Sequence, residues 1–211
     1  MAELPNVIPL FPLPNLVLFP RIQVPLHIFE PRYREMIADI AETHRTIGMM
    51  LLKGNTYPDI FEVGCAGRIE TLDKLPDGRF NLILAGTCEF KILREIRERS
   101  YRQAEVKWCP LELTALQLDS YQLGELRRLL LACYGESARQ AWTALVERQG
   151  LKDTELVNFF CFHLDLNSLE KQTLLQAAEQ RFDCLIDILQ FKLEERKSGP
   201  DGPGSGSVPV Q

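Results

Sequence analysis

Apolar positions recur with the period of a strand in the first half of the chain and with that of a helix in the second. Six segments of the first half are short apolar runs or alternate apolar with polar: Val7–Phe11, Ile22–Phe29, Ile47–Leu52, Ile60–Leu72, Arg79–Ile96 and Arg102–Trp108. Turn signals such as Lys53-Gly54-Asn55 and Pro76-Asp77-Gly78 separate them. The segments on either side of Pro76-Asp77-Gly78, Glu70–Leu75 and Arg79–Ala85, predict a hairpin. From Glu89 onward the alternation sets Phe90, Ile92 and Ile96 on one face, with Glu89, Lys91, Glu95, Arg97 and Arg99 on the other. One helix interrupts the strands. Glu30-Pro31 opens it with proline in the first turn, and Tyr33, Met36, Ile37 and Ile40 supply a three-to-four stripe.

From about residue 116 the period becomes 3.6. Leu123, Leu126, Leu130 and Cys133 line one helix face, and a segment from Ala138 to Val146 follows, ending at Gly150. Asp153 is placed to cap the next helix, with Leu156, Val157, Phe160 and Leu164 in its core. Asn167 and Glu170 have the spacing of a capping box for Leu169–Ala177. Phe182, Leu185, Ile186, Leu189 and Leu193 form the stripe of a last helix. The organisation expected is therefore a β-rich subdomain over 1–115, a helical bundle over 116–196 and a disordered Gly/Pro/Ser tail over 197–211.

The 211 residues, 45% hydrophobic and 25% charged, have the balance of a globular protein able to bury its own core. A net charge of −5, divided as −1 before residue 116 and −4 after it, is a poor start for binding a phosphate backbone. The apolar stretch Leu4–Pro20 lacks a basic leader and carries five prolines, which disqualifies it as a signal peptide or membrane anchor. A cytoplasmic protein with no membrane partner is expected. The six cysteines lie more than 20 residues apart and mostly within apolar runs, so they predict reduced, buried thiols and no metal site.

Candidate chemistry is sparse. Phosphate-binding loops, nucleophile elbows and zinc motifs are missing, and the three histidines are far apart in sequence, so no catalytic residue and no cofactor is expected. The one close glycine pair, Gly64-Cys65-Ala66-Gly67, sits in a strand and predicts a bulge or a tight packing point. The basic cluster Lys91, Arg94, Arg97, Arg99 and Arg102 is the best nucleic-acid candidate. Glu89, Glu95, Glu98 and Glu105 interleave it and Tyr101 alone offers a stacking ring, which favours a solvated strand face.

The most informative stretch is Ile8–Ile37. Its segments Pro9-Leu10-Phe11-Pro12-Leu13, Val17-Leu18-Phe19-Pro20 and Pro25-Leu26-His27-Ile28-Phe29-Glu30-Pro31-Arg32-Tyr33 resemble the N-terminal, substrate-binding domain of the ATP-dependent Lon protease. Weaker echoes follow at Val63–Ile69, Leu75–Arg79 and Glu170–Leu175. The resemblance implies an α+β fold: a PUA-like, mostly antiparallel β pseudo-barrel with one inserted helix, followed by a C-terminal α-helical bundle. It also implies a stand-alone form of that domain, without ATPase and protease modules, that binds unfolded or partner polypeptide and performs no catalysis. RNA binding by a PUA-like fold is the alternative, and an unrecognised hydrolase a third.

The motif Pro25–Tyr33 reads as structural: Leu26 and Ile28 are expected to face inward, with His27 and Phe29 on the opposite face. Pro31 starts the helix, and Glu30 meets Arg32 or Arg34 at the edge of the core. A partly buried Glu30 of this kind would cost roughly 2–4 kcal/mol on truncation to alanine.

Overall fold

A computed structural model describes residues 4–54, 59–109, 116–151 and 153–198. The fold is α+β, and the chain divides into two compact units, Met1–Leu111 and Glu112–Gln211. Among its described residues the first holds six strands, β1 (Val7–Leu13), β2 (Gln23–Ile28), β3 (Thr46–Leu51), β4 (Val63–Lys74), β5 (Phe80–Ile96) and β6 (Gln103–Cys109), with α1 (Pro31–Ala41) between β2 and β3. They form one sheet in the order β2-β5-β4-β3-β1-β6, and a further β5–β6 pairing closes it. Every pairing is antiparallel except β1 with β3, whose connection contains α1. Each expected strand thus forms, and the Glu70–Ala85 hairpin turns where Pro76-Asp77-Gly78 places it, with Leu75 N–H donating to Arg79 O at 2.8 Å.

β5 runs for 17 residues and shares both edges. One edge carries β4 from Phe80 to Lys91; the other carries β2 as far as Ala85 and then β6 from Glu89 onward. Gly86 sits at that handover. Its N–H donates to Ile22 O at 2.8 Å, its carbonyl accepts Arg21 N–H at 2.9 Å, and a Cβ there would lie 2.1 Å from the Phe19 carbonyl oxygen. The ladder is irregular between Ala66 and Gly67, leaving Thr87 as the extra residue, whose hydroxyl donates to Ala66 O at 3.0 Å. Gly64 and Gly67 are therefore both a bulge and a packing point: a Cβ at Gly64 would meet Met49 O at 2.4 Å, and one at Gly67 would meet Leu84 Cγ at 2.5 Å.

Inside the closed sheet Ile8, Leu10, Met50, Ala66, Phe90, Ala104 and Val106 form one apolar cluster. α1 buries Tyr33, Met36, Ile37 and Ile40, the stripe expected of it, and Phe11 meets the Tyr33 ring edge-on at 4.4 Å. The alternation read for β5 fails at two places. Glu89, expected on the solvated face, is 3% exposed, because a strand's own period does not register what packs across its outer face. The extra residue Leu93 then shifts the register, so Glu95 stands opposite buried Ala104 on the face of Ile92, and Ile96, opposite Gln103, falls on the other face.

The second unit comprises α2 (Ser120–Trp142), a π-helical turn over Thr143–Arg148, α3 (Asp153–His163), α4 (Ser168–Gln176) and α5 (Arg181–Ser198). Asp119 and Gln122 form a capping box for α2 that its sequence did not suggest, and Asn167 with Glu170 forms the expected one for α4. Gly135 breaks α2 at φ 57°, ψ −131°, so the two segments read from the pattern are joined across a kink. The Asp153 carboxylate accepts the Leu118 N–H at 3.0 Å. Arg181, 2% exposed, bonds the Leu174 and Leu175 carbonyls and Asn158 Oδ1, tying the end of α4 to α3. α5 continues to Ser198, so the segment expected as a tail from 197 begins as helix; residues 199–211, like Asn55 of the first turn signal, lie outside the described residues. Cys65, Cys133 and Cys161 are buried, but Cys88 and Cys184 are half-buried and Cys109 is exposed.

Two measurements check this packing. Gly86→Ala drives a Cβ into backbone that cannot swing aside and is expected to lose roughly 1–3 kcal/mol in urea unfolding. Gly124→Ala, in α2 with nothing near its Cβ position, is expected to gain roughly 0.5–1 kcal/mol.

A third concerns pH. Burial lowers the pKa of His44, whose Nδ1 accepts the Thr46 N–H at 3.0 Å, below its ordinary 6.5, and burial with Lys171 lowers that of His163. The unfolded chain then takes protons that the folded chain refuses. Stability present above about pH 6.5 is therefore expected to fall as pH drops toward 5, and His44→Gln to flatten that fall in calorimetric melts.

Candidate functional site

β2 and the start of α1 present the longest motif of the sequence, and they divide it between core and surface. In the β2–β5 register Ile22 O accepts from Gly86, so Val24, Leu26 and Ile28 point their backbone groups toward β5 while Gln23, Pro25 and His27 point theirs outward. Pro25, which has no N–H, stands at an outward position where none is needed. Among side chains, Val24 and Ile28 are buried and Leu26 is half-buried, whereas His27 is exposed and Phe29 is 60% exposed.

The exposed pair is held in place. His27 and Phe29 stack with ring centroids 6.2 Å apart and planes 27° from parallel. His27 Nε2 lies 3.2 Å from Arg79 Nη1; a guanidinium can only donate, so Nε2 accepts and Nδ1 donates to Asn81 Oδ1 at 2.7 Å. Arg79 in turn pairs with Asp77 at 2.7 Å, and bonding from Arg79 holds the Asp77 carboxyl below its ordinary pKa.

Glu30 occupies the N-cap of α1 without a side-chain capping bond. Its carbonyl accepts from Tyr33 and Arg34, and its carboxylate pairs with Arg32 at 2.9 Å, while the Arg32 guanidinium also lies 4.5 Å from the Tyr33 ring centroid. The Arg32 and Glu30 side chains are 36% and 42% exposed, which puts their part-buried bond at the edge of the core. Water reaches both groups and screens the pair, so the cost of truncation is expected to fall below that of a well-buried bond.

Beside this segment lies a shallow cleft of about 420 Å³ between α1 and the β4–β5 hairpin. Pro31, Ala38 and Phe80 supply its apolar wall, and Arg34, Lys74 and Glu35 its charges. The Arg34 guanidinium rests on the turn glycine Gly78 (φ 80°), where a Cβ would lie 2.3 Å from Nη2. The Lys74 Nζ lies 6.0 Å from the Phe80 ring centroid. Sequence reading missed this cleft because α1 and the hairpin are some 40 residues apart, and no local pattern brings Arg34 to Gly78.

The basic cluster is brought together only in part, and its charges are mostly spent on neighbours. Lys91 pairs with Glu62 at 3.2 Å, Arg94 with its cross-strand partner Glu105 at 3.4 Å, Arg99 with Asp39 at 3.7 Å and Arg102 with Glu95 at 2.6 Å. Arg97 has no ion-pair partner among the described residues. The turn beyond β5 is pinned to α1, with Ser100 and Tyr101 donating to Glu35 and Asp39 at 2.7 Å each. Burial, followed by that Asp39 bond, pushes the Tyr101 pKa upward.

Comparisons with known proteins agree with one another. A family model described as the ATP-dependent protease La (LON) substrate-binding domain matches residues 7–190. A Lon protease 2 of Desulfotalea psychrophila is 26% identical over 198 residues, 90% of this chain and 26% of that protein. A Lon protease of Cytophaga hutchinsonii is 30% identical over 109 residues, 49% of this chain and 13% of that protein. The chain thus spans about a quarter or less of these relatives. Among solved structures, a Lon N-terminal domain protein from Xanthomonas campestris superposes with a TM-score of 0.66 at 25% identity, covering 88% of this chain and 98% of that one.

Glu30→Ala is expected to cost about 1 kcal/mol or less in urea unfolding, since the exposed ion pair is screened and the carbonyl bonds that start α1 remain. A loss of several kcal/mol would place Glu30 in the core after all.

Proposed function

The chain belongs to the family of LON substrate-binding domains, and from that premise we propose that it recognises polypeptide, holding segments of client or partner proteins without altering them covalently. The family match over residues 7–190 carries this reading. The surface it favours is the outward side of β2 and the start of α1, where His27 on the strand and Phe29 just past its end stand exposed beside the cleft at Pro31. A side chain that packs no core, fixed by its neighbours, offers apolar contact at little ordering cost. RNA binding is disfavoured: four of the five clustered cations are ion-paired, and the family comparisons point to a substrate-binding domain of a protease. Among the described residues no helix is long and apolar enough to cross a membrane.

One titration separates the two classes. The protein is expected to bind a urea-unfolded, alkylated test protein in the micromolar range and to ignore its folded form, with little weakening between 50 and 200 mM salt. Binding to bulk tRNA through several phosphates would instead fall by orders of magnitude over that range. Tight, salt-sensitive tRNA binding with none to the unfolded chain would overturn the proposal.

A further inference from the structure

The cleft between α1 and the β4–β5 hairpin holds two cations, Arg34 and Lys74, against one lining carboxylate, Glu35. Arg34 and Lys74 have no ion-pair partner within 4.0 Å among the described residues, although carboxylates are nearby. Asp77 is taken by Arg79 at 2.7 Å, and Glu35 accepts the Ser100 hydroxyl at 2.7 Å. Arg34 is half-buried, and its guanidinium is laid across Gly78, where any larger residue would displace it. Other single cations of this unit, Arg97 among them, also lack an ion pair, but here a half-buried guanidinium stands beside a second cation and an apolar wall. A planar guanidinium held in place loses little entropy on taking a carboxylate in a two-bond fork, and Lys74 adds a second point charge.

We propose that this cleft binds an aspartate or glutamate side chain of an extended polypeptide, with apolar residues of the same segment lying against Pro31, Ala38 and Phe80. The inference rests on the polypeptide-binding reading and names the substrate class for that surface: acidic residues flanked by apolar ones. A basic segment is rejected by the same two cations. Exposed and half-exposed charge pairs are weak, so the preference is modest and salt-sensitive.

The test uses fluorescence anisotropy with the full chain and three labelled peptides of one apolar sequence. The first carries central Glu residues and blocked ends, the second Gln at the same positions and blocked ends, and the third Gln with a free C-terminal carboxylate. The acidic peptide is expected to bind roughly three- to tenfold more tightly than the blocked Gln peptide at 50 mM salt. Arg34→Gln combined with Lys74→Gln is expected to bring that ratio to one without shifting the melting temperature, whereas Lys91→Gln, which removes a cation elsewhere, is expected to leave it intact. Equal binding of all three peptides to the wild type would overturn the inference and leave the polypeptide reading standing. So would a ratio that survives the double substitution, or a free C-terminus that binds as tightly as the acidic peptide. Failure of every peptide, together with failure of the unfolded test protein, would overturn both.

Discussion

A 17-residue strand cannot serve two partners on one edge without a place where one ends and the other begins, and in this protein that place is Gly86. β2 occupies β5 up to Ala85, β6 takes over from Glu89, and between them the backbone of Phe19 approaches Gly86 more closely than any side chain would permit. Bulges at Thr87 and Leu93 bend the strand on either side. The bend lets β6 reach both β5 and β1, which closes the sheet around Ile8, Leu10, Phe90, Ala104 and Val106. The same handover leaves β2 paired along one side only, with α1 following directly from its end. The surface proposed for recognition is thus a by-product of how the barrel closes.

Most of the architecture was legible because it is written in period. The six strands follow from apolar runs and alternation, the α1 stripe from Tyr33, Met36, Ile37 and Ile40, and the α4 capping box from the spacing of Asn167 and Glu170. What was not legible depends on partners remote in sequence. Glu89 stands where the alternation sets the solvated face and is buried nonetheless. Arg181 reads as a surface cation at a helix start, yet it satisfies carbonyls at the end of α4. Glu30 was placed correctly at the start of α1 beside Arg32, but nothing local reveals how much water reaches the pair. The tail expected from residue 197 yields its first two residues to α5 because helices extend past the point where composition changes.

The candidate site shows the same division more sharply. Within the motif from Pro25 to Tyr33, Ile28 and Tyr33 build core. His27, Phe29 and Arg32 do not. A single exposed phenylalanine needs no explanation on any protein surface. Phe29 draws notice because its ring is stacked on a histidine that is itself bonded to Asn81 and Arg79, and because Pro31, two residues on, borders a cleft holding Arg34 and Lys74.

The treatment of charge in this unit separates structure from recognition. Where strands meet, opposite charges are set across from one another: Arg94 faces Glu105, Arg102 reaches Glu95, and Arg99 and Tyr101 fasten the turn beyond β5 to Asp39. These pairs fix register and docking, and they cancel the field that a phosphate backbone would require. Arg34 and Lys74 make no such close pair: Asp77 is bonded to Arg79 and feels Arg34 only at longer range, and Glu35 accepts the Ser100 hydroxyl. A cation left over where anions abound is available to a ligand. An uncovered guanidinium costs the fold little while water reaches it, so stability alone gives no reason to remove it. The two kinds of cation therefore differ in what their substitution should disturb: register in the paired set, and binding in the unpaired one.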